Sequence, residues 1–331
     1  MTMQEKKRIL SGMRPSGKLH LGHLKGALEN WIRLTESYDC YFFSADWHAL
    51  TSEYADTSEI TPNTFDMAID WIAAGLDPGK CTFFIQSKIK QHAELFLLLA
   101  MITPLPWALK CPTFKEQQEQ LSDRDLNTYG FLGYPVLQAA DILIYLPYGV
   151  PVGQDQLPHI ELTRMIARRF NNFFGAIFPE PEALLTPAAK VPGTDGRKMS
   201  KSYGNAILLS DSADTVKTKI NTMVTDPARK RRSDPGNPDI CPVFELHKIF
   251  TTPDIHNWVV DGCRTAGIGC LDCKKPLIEA IQVVLDPVRK KRDELEADPD
   301  YVRNVLENGS AKAMDLAEKT MQHIRKSIGI F

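Results

Sequence analysis

Hydrophobic and polar positions alternate in two periods along the first half of the chain. Ile9 and Leu10 are a short apolar burst before a turn-rich segment (Ser11, Gly12, Pro15, Ser16, Gly17), and the pattern predicts a buried strand over Arg8–Leu10. Leu24 to Leu34 repeats at helical spacing. Cys40 to Ser44 is aromatic-rich and predicts a second strand. Thr61 to Ala74 predicts a helix, with the stop Leu76-Asp77-Pro78-Gly79 after it, and Cys81 to Gln86 predicts a third strand. Strands alternating with helices imply an α/β fold with a doubly wound parallel sheet, whose ligands gather at the carboxyl ends of the strands.

Beyond residue 88 the pattern turns helical, interrupted by Gly133-Tyr134-Pro135 and a strand-like Val150-Pro151-Val152. Residues 181–204 predict a loop. From Asp211 onward the periodicity is helical without strands, so we expect a Rossmann-like domain over 1–205 and an all-α domain over 206–331. The stretch Asp226 to Pro242 holds four prolines and predicts an irregular connection. The longest apolar run, Leu95 to Leu109, is broken by Pro104 and Pro106. It is too short to span a bilayer and predicts a buried or interface helix.

Composition changes little. The 331 residues are 43% hydrophobic and 24% charged, with a net charge of −2, so the overall balance does not announce a nucleic-acid partner. Basic clusters are local, at Arg229–Arg232 and Arg289–Arg292. No apolar signal region follows the basic N-terminus, so we expect a cytoplasmic protein without a membrane partner, whose seven cysteines stay unpaired. A GxGxxG after the first strand is missing, which excludes the usual dinucleotide fingerprint.

Two motifs carry the chemistry. His20-Leu21-Gly22-His23 lies where a strand gives way to a helix, and a helix start offers free N–H groups and partial positive charge to a phosphate. Lys198-Met199-Ser200-Lys201-Ser202 lies in a glycine-flanked loop expected to be mobile, where two lysines and two hydroxyls can grip a polyphosphate. Together, in this order, they resemble the signature of class I aminoacyl-tRNA synthetases. Ala45–Thr51, Ala74–Pro78, Tyr134–Leu143 and Val150–Thr163 resemble the tryptophanyl and tyrosyl branch, the tryptophanyl enzymes in particular.

The resemblance implies ATP with Mg2+, L-tryptophan and tRNA(Trp) as reactants, a homodimer, and an adenylate mechanism. It implies catalytic roles for His20, His23, Lys198 and Lys201. Arg14, Pro15, Ser16, Gly22, Gly153, Gln154, Asp155, Val191, Met199, Ser200 and Ser202 would lie along the ATP. Tyr134 and Gln156 would hold the amino-acid ammonium and carboxylate, and Asp141, read as the end of a helix, would accept the indole N–H. Tyrosine is the alternative substrate. Leu10 opposes it, because tyrosyl enzymes place a phenol-binding tyrosine there and leucine offers the phenol no partner. Another HxGH nucleotidyltransferase, or a binding or redox-sensing relative without catalysis, are the remaining rivals. The chain departs from the bacterial tryptophanyl pattern at His20 and His23, usually Thr and Asn, at Arg14, usually Gln, at Gln154, usually Glu, and at Leu10, often aromatic.

Cys241, Cys263, Cys270 and Cys273 form C-x21-C-x6-C-x2-C. Four thiolates suit a tetrahedral zinc ion or an iron–sulfur cluster. The spacing resembles a subset of tryptophanyl enzymes that carry a [4Fe–4S] cluster in the helical domain, which favours the cluster over Zn2+. Cys40, Cys81 and Cys111 are expected to be structural. Lys274, Lys275 and Arg229–Arg232 are candidate phosphate contacts for an anticodon loop.

Overall fold

The computed structural model describes residues 6–110, 126–186 and 190–330; Cys111 lies outside them. Five parallel strands form one sheet in the order β3-β2-β1-β4-β5: β1 (Arg8–Met13), β2 (Asp39–Ser44), β3 (Cys81–Ile85), β4 (Gly149–Val152) and β5 (Glu182–Leu185). The order reverses direction beside β1, so the carboxyl ends of β1 and β4 flank the switch point where α/β sheets bind ligands. β1 to β4 are apolar and buried because helices cover both faces.

The helices on the N-terminal side are α1 (Leu21–His23), α2 (Glu29–Thr35), α3 (Asp46–Glu53), α4 (Ile60–Ala73), α5 (Gln91–Ile102), α6 (Leu105–Leu109), α7 (Tyr129–Leu143) and α8 (Leu157–Phe174). A π-helical stretch, Leu24–Leu28, joins α1 to α2. Then follow α9 (Ala213–Thr222), α10 (Pro242–Phe250), α11 (Pro253–Arg264), α12 (Cys270–Ala297) and α13 (Pro299–Ile328). No helix among the described residues is long and apolar enough to cross a membrane.

Four readings need correction. The first helix starts at Leu21, three residues before the apolar repeat, because His20 caps it. β5 occupies part of the segment expected to be loop; it is an edge strand with only Ala183 and Leu184 half-buried, so it lacks a strong apolar signal. Asp141 does not end a helix: α7 continues to Leu143 and carries Pro135 in its interior. The Leu95–Leu109 run is not one helix but two, the end of α5 and all of α6, parted at Thr103 and Pro104.

Two cores form, one on each side of the sheet. Trp31, Phe42 and Trp71 anchor one, which extends through Ile207 and Leu209 to Leu277, Ile281 and Leu285 of α12. The other joins Leu10, Tyr145 and Phe170 to Ala313, Ala317 and Met321 of α13.

Candidate active site

A cavity of ≈ 380 Å³ opens at the carboxyl ends of β1 and β4. Of the residues expected to bind substrate, Leu10, Arg14, Tyr134, Asp141, Gly153 and Gln156 line it. Leu10 is fully buried and presents an apolar wall. Tyr134 stands between the rings of His48 and His159, at centroid separations of 6.4 and 5.6 Å. Gln154, Asp155 and Gln156 form one 3-10 turn after β4, where Gln156 donates to Asp155 Oδ2 at 2.8 Å. Arg14 donates to Ser52 Oγ and lies 3.6 Å from Glu53 Oε1. Ser16 N donates to Arg14 O at 2.8 Å across the buried Pro15.

Asp141 is the anion at the cavity floor. Its carboxylate meets His48 Nε2 at 2.8 Å and His92 Nδ1 at 2.6 Å, and accepts from Gln86 Nε2 on both oxygens at 2.8 Å. His92 Nε2 continues the chain to the Tyr145 hydroxyl at 2.7 Å. Burial pushes the Asp141 pKa up, but the hydrogen bonds from His48 and His92 overcome it and hold the carboxyl below its ordinary range. Burial, then the Asp141 charge, keep the Tyr145 phenol well above its ordinary value. Sequence reasoning missed His48, Gln86, His92 and Tyr145. The usable signals were the Ala45–Thr51 segment, which contains His48, and the place of Gln86 directly after β3, at the sheet end where ligands bind.

His20 and His23 form the second centre, their rings 3.8 Å apart. Gly22 N donates to His20 Nδ1 at 3.1 Å and His20 N donates to His23 Nδ1 at 3.2 Å. Each Nδ1 is therefore an acceptor, and the proton of each neutral ring sits on Nε2. Burial, then Lys201 and Lys198, lower the His20 pKa to about 4. Burial, then His20 and the same lysines, hold His23 well below its ordinary value. At neutral pH both are uncharged N–H donors. A side chain at Gly22 would press on the His20 ring, which explains the glycine.

The lysine loop folds against this pair. Met199 N donates to the carbonyl of the buried Val191 at 3.1 Å, and Met199 lies against Gly22. Asn205, buried and unforeseen, braces the loop: its Oδ1 accepts from Ser200 N at 2.8 Å and its Nδ2 donates to Asp195 Oδ1 and Lys198 O at 2.6 and 3.2 Å. Lys198 and Ser202 are exposed. Lys201 Nζ is buried and makes no hydrogen bond to any described residue. It reaches Gly17, at φ +98°, 3.4 Å from where a Cβ would stand. Burial lowers its pKa to about 8, against the opposing charges of Asp70, Asp66 and Glu53. An unpaired ammonium beside two N–H donors suits a phosphate chain.

The four expected metal-ligating cysteines, Cys241, Cys263, Cys270 and Cys273, line one small cavity between α10, α11 and α12. Burial and the neighbouring thiols push Cys273 up to about 12. Burial is also the first cause of the rise at Cys263. No group of three or more His, Cys, Asp or Glu among the described residues is disposed to hold a metal ion. The described cysteines are all free thiols. Two candidate phosphate contacts are withdrawn. Lys274 is buried and donates to Asn221 O and Met223 O at 2.9 and 2.7 Å, and Arg229 is spent on Ile268 O, Arg232 O and Cys263 Sγ. Lys275 and Arg232 remain exposed.

The family model described as tRNA synthetases class I (W and Y) matches residues 2–286. The chain belongs to that family and is an aminoacyl-tRNA ligase by membership. Relatives matched over full length include tryptophan–tRNA ligases. That of Thermotoga maritima is 52% identical over 98% of this chain and 99% of its own, and that of Ralstonia nicotianae is 43% identical over 98% of each. The tryptophanyl-tRNA synthetase of Campylobacter jejuni, solved with ADP and tryptophan, is 34% identical with a TM-score of 0.88 over 98% of this chain and 100% of its own.

Proposed function

We propose that the cavity activates L-tryptophan with ATP, giving tryptophanyl-adenylate and pyrophosphate, and then transfers tryptophan to the 3′ end of tRNA(Trp). The observation that carries the reading is a fixed anion, Asp141, lining the cavity at the carboxyl ends of the strands, together with a separate centre at the signature motifs in which two neutral imidazoles lie near an unpaired lysine ammonium. Asp141, held ionised by its three donors, accepts the indole N–H. Leu10 walls the ring on a side where a phenol would need a polar partner. Tyr134 and Gln156 hold the ammonium and carboxylate. Arg14, Pro15, Ser16, Gly153, Gln154, Asp155 and Val191 surround the ATP.

The tryptophan carboxylate attacks the α-phosphate in line. Little covalent work falls to the protein, so position and charge dominate. His20 and His23 donate from Nε2 to the phosphates, which spares the site two competing cations. Lys198 and Lys201 take the leaving pyrophosphate, with Met199, Ser200 and Ser202 completing the loop. Mg2+ enters with ATP, held chiefly by phosphate and water. Amino-acid-dependent ATP–pyrophosphate exchange tests the reading. Exchange with tryptophan and not tyrosine is expected; exchange with tyrosine alone would refute the assignment of the pocket.

We further propose that residues 1–205 are the catalytic part and 206–331 the anticodon-reading part of a cytoplasmic homodimer. The four cysteines are proposed to hold a [4Fe–4S] cluster, with Zn2+ the alternative. Four thiols lining one cavity supply the donor chemistry for either. Such a group would staple α10, α11 and α12. Iron, sulfide and zinc assays on protein purified without oxygen decide between them, and finding none of the three would overturn the site.

A further inference from the structure

Asp70 and Arg292 line neither of the two cavities described above, yet they meet at the residue that precedes the signature histidines. Asp70, on α4, is completely buried. Its Oδ2 accepts from Leu19 N at 2.8 Å, the residue immediately before His20. Its Oδ1 accepts from Arg292 Nη1 on α12. Arg292 is 2% exposed and also donates to Asp66 Oδ1 at 2.6 Å and Glu296 Oε1 at 2.7 Å. A buried carboxylate thus accepts from one backbone amide while its counter-charge, from a segment 222 residues away, holds it on the other oxygen.

The segment they hold has a second set of ties. Leu209 N donates to Leu19 O at 2.9 Å, and Leu21 N donates to Ile207 O at 3.0 Å, so the segment Ile207–Leu209 after the lysine loop clamps the other side of His20. The amide of Leu19 is the one link from this segment to α4 and α12 among these bonds. Arg292 lies about 28 Å along α12 from Cys273, so one helix connects the cysteine cavity to the histidine segment.

We propose that Asp70 and Arg292 are positioning residues for amino-acid activation: the ionised pair fixes Leu19 and thereby the placement of the His20 and His23 donors over the phosphates. This rests on the function proposed above. A displacement of these donors by an ångström harms the transition state and leaves the tryptophan cavity intact, because neither residue lines it.

The pair also has a titration of its own. The charged groups facing Asp70 are Asp66 on its own helix, Arg292 on α12 and Lys201 from the loop. Burial, opposed first by Arg292, leaves the Asp70 pKa raised to about 6. Activity that needs the ionised pair falls as pH drops through that value.

The test is tryptophan-dependent ATP–pyrophosphate exchange on the full chain between pH 5.5 and 8.5. Wild type is compared with Asp70→Asn, Arg292→Gln and the double variant, with thermal melts alongside. Asp70→Asn is expected to lower kcat about tenfold to a hundredfold, to leave KM for tryptophan within about twofold, and to abolish the acid limb. Arg292→Gln moves that limb to higher pH, since the buried carboxyl loses its counter-charge. If Arg292→Gln does not fold, the double variant, which buries no lone charge, replaces it and shows a low kcat with no limb. A kcat within twofold of wild type in folded Asp70→Asn, an unmoved acid limb, or a matching rise in the tryptophan KM would each overturn the proposal. A wild type that exchanges with no amino acid would overturn the function itself.

Discussion

At the scale of single residues, Lys201 offers the sharpest test of the phosphate site. Its lowered pKa, about 8, means that the free enzyme loses this ammonium as pH rises through 8. The kcat/KM for ATP should therefore show an alkaline limb near that value, since kcat/KM reports the free enzyme. Lys201→Arg stays charged and should carry the limb beyond pH 9; Lys201→Ala should lower the exchange rate by about 10²–10³ while tryptophan affinity holds. Asp141→Ala makes the complementary case. It leaves His48, Gln86 and His92 facing a buried gap, so we expect a loss of roughly 3–5 kcal/mol in denaturant unfolding and no measurable tryptophan exchange. The signature residues were legible because they are contiguous: two histidines with a glycine between, two lysines around a short loop. The Asp141 network was not. Its partners lie 93, 55 and 49 residues away, and although local signals touch His48 and Gln86, nothing local ties any of them to Asp141 until α3, β3 and α5 converge on α7. The same distance hid Asp70 and Arg292.

At the scale of elements, the sheet was legible where burial is two-sided and failed where it is not. β1 to β3 announce themselves by apolar runs, whereas β5 is an edge strand that runs exposed, half-buried, half-buried, exposed, so its composition matches a loop. The opposite edge shows a feature no periodicity reveals. α13 lies directly along β3, where Ile85 N donates to Ser310 Oγ at 3.2 Å and Lys312 Nζ donates to Thr82 Oγ1 at 2.9 Å. It thereby shields an edge that would otherwise be free to pair. Gly309 makes the contact possible: a Cβ there would fall on the Phe83 carbonyl oxygen, which is backbone and has no rotamer to escape through. Gly309→Ala should therefore cost about 3 kcal/mol by overpacking, despite the usual gain from replacing a helical glycine. Chemical unfolding measures it. An unchanged or raised midpoint would mean that α13 does not bear on β3.

At the scale of the whole molecule, the remaining question is what covers the apolar side of α5 and α6. Leu97, Met101, Leu105 and Leu109 recur every four residues and are 55%, 71%, 59% and 46% exposed. A stripe of this kind is uncommon on a monomer's surface. The opposite side of α5 buries His92, Leu95 and Leu99, and His92 is the residue that hydrogen-bonds Asp141. One helix thus carries the proposed subunit contact on one side and a support of the tryptophan pocket on the other. If two copies meet along the stripe, light scattering should give twice the mass of one chain, and the paired change Leu97→Glu and Met101→Glu should give a single chain. The second consequence separates a dimer from mere stickiness. Loosening α5 shifts His92 against Asp141, so the dissociated variant should bind tryptophan about tenfold more weakly, and raising protein concentration should not restore it. A monomeric variant with unchanged tryptophan affinity would keep the interface and sever it from the pocket. A variant that stays dimeric would move the interface elsewhere and leave the stripe to another partner.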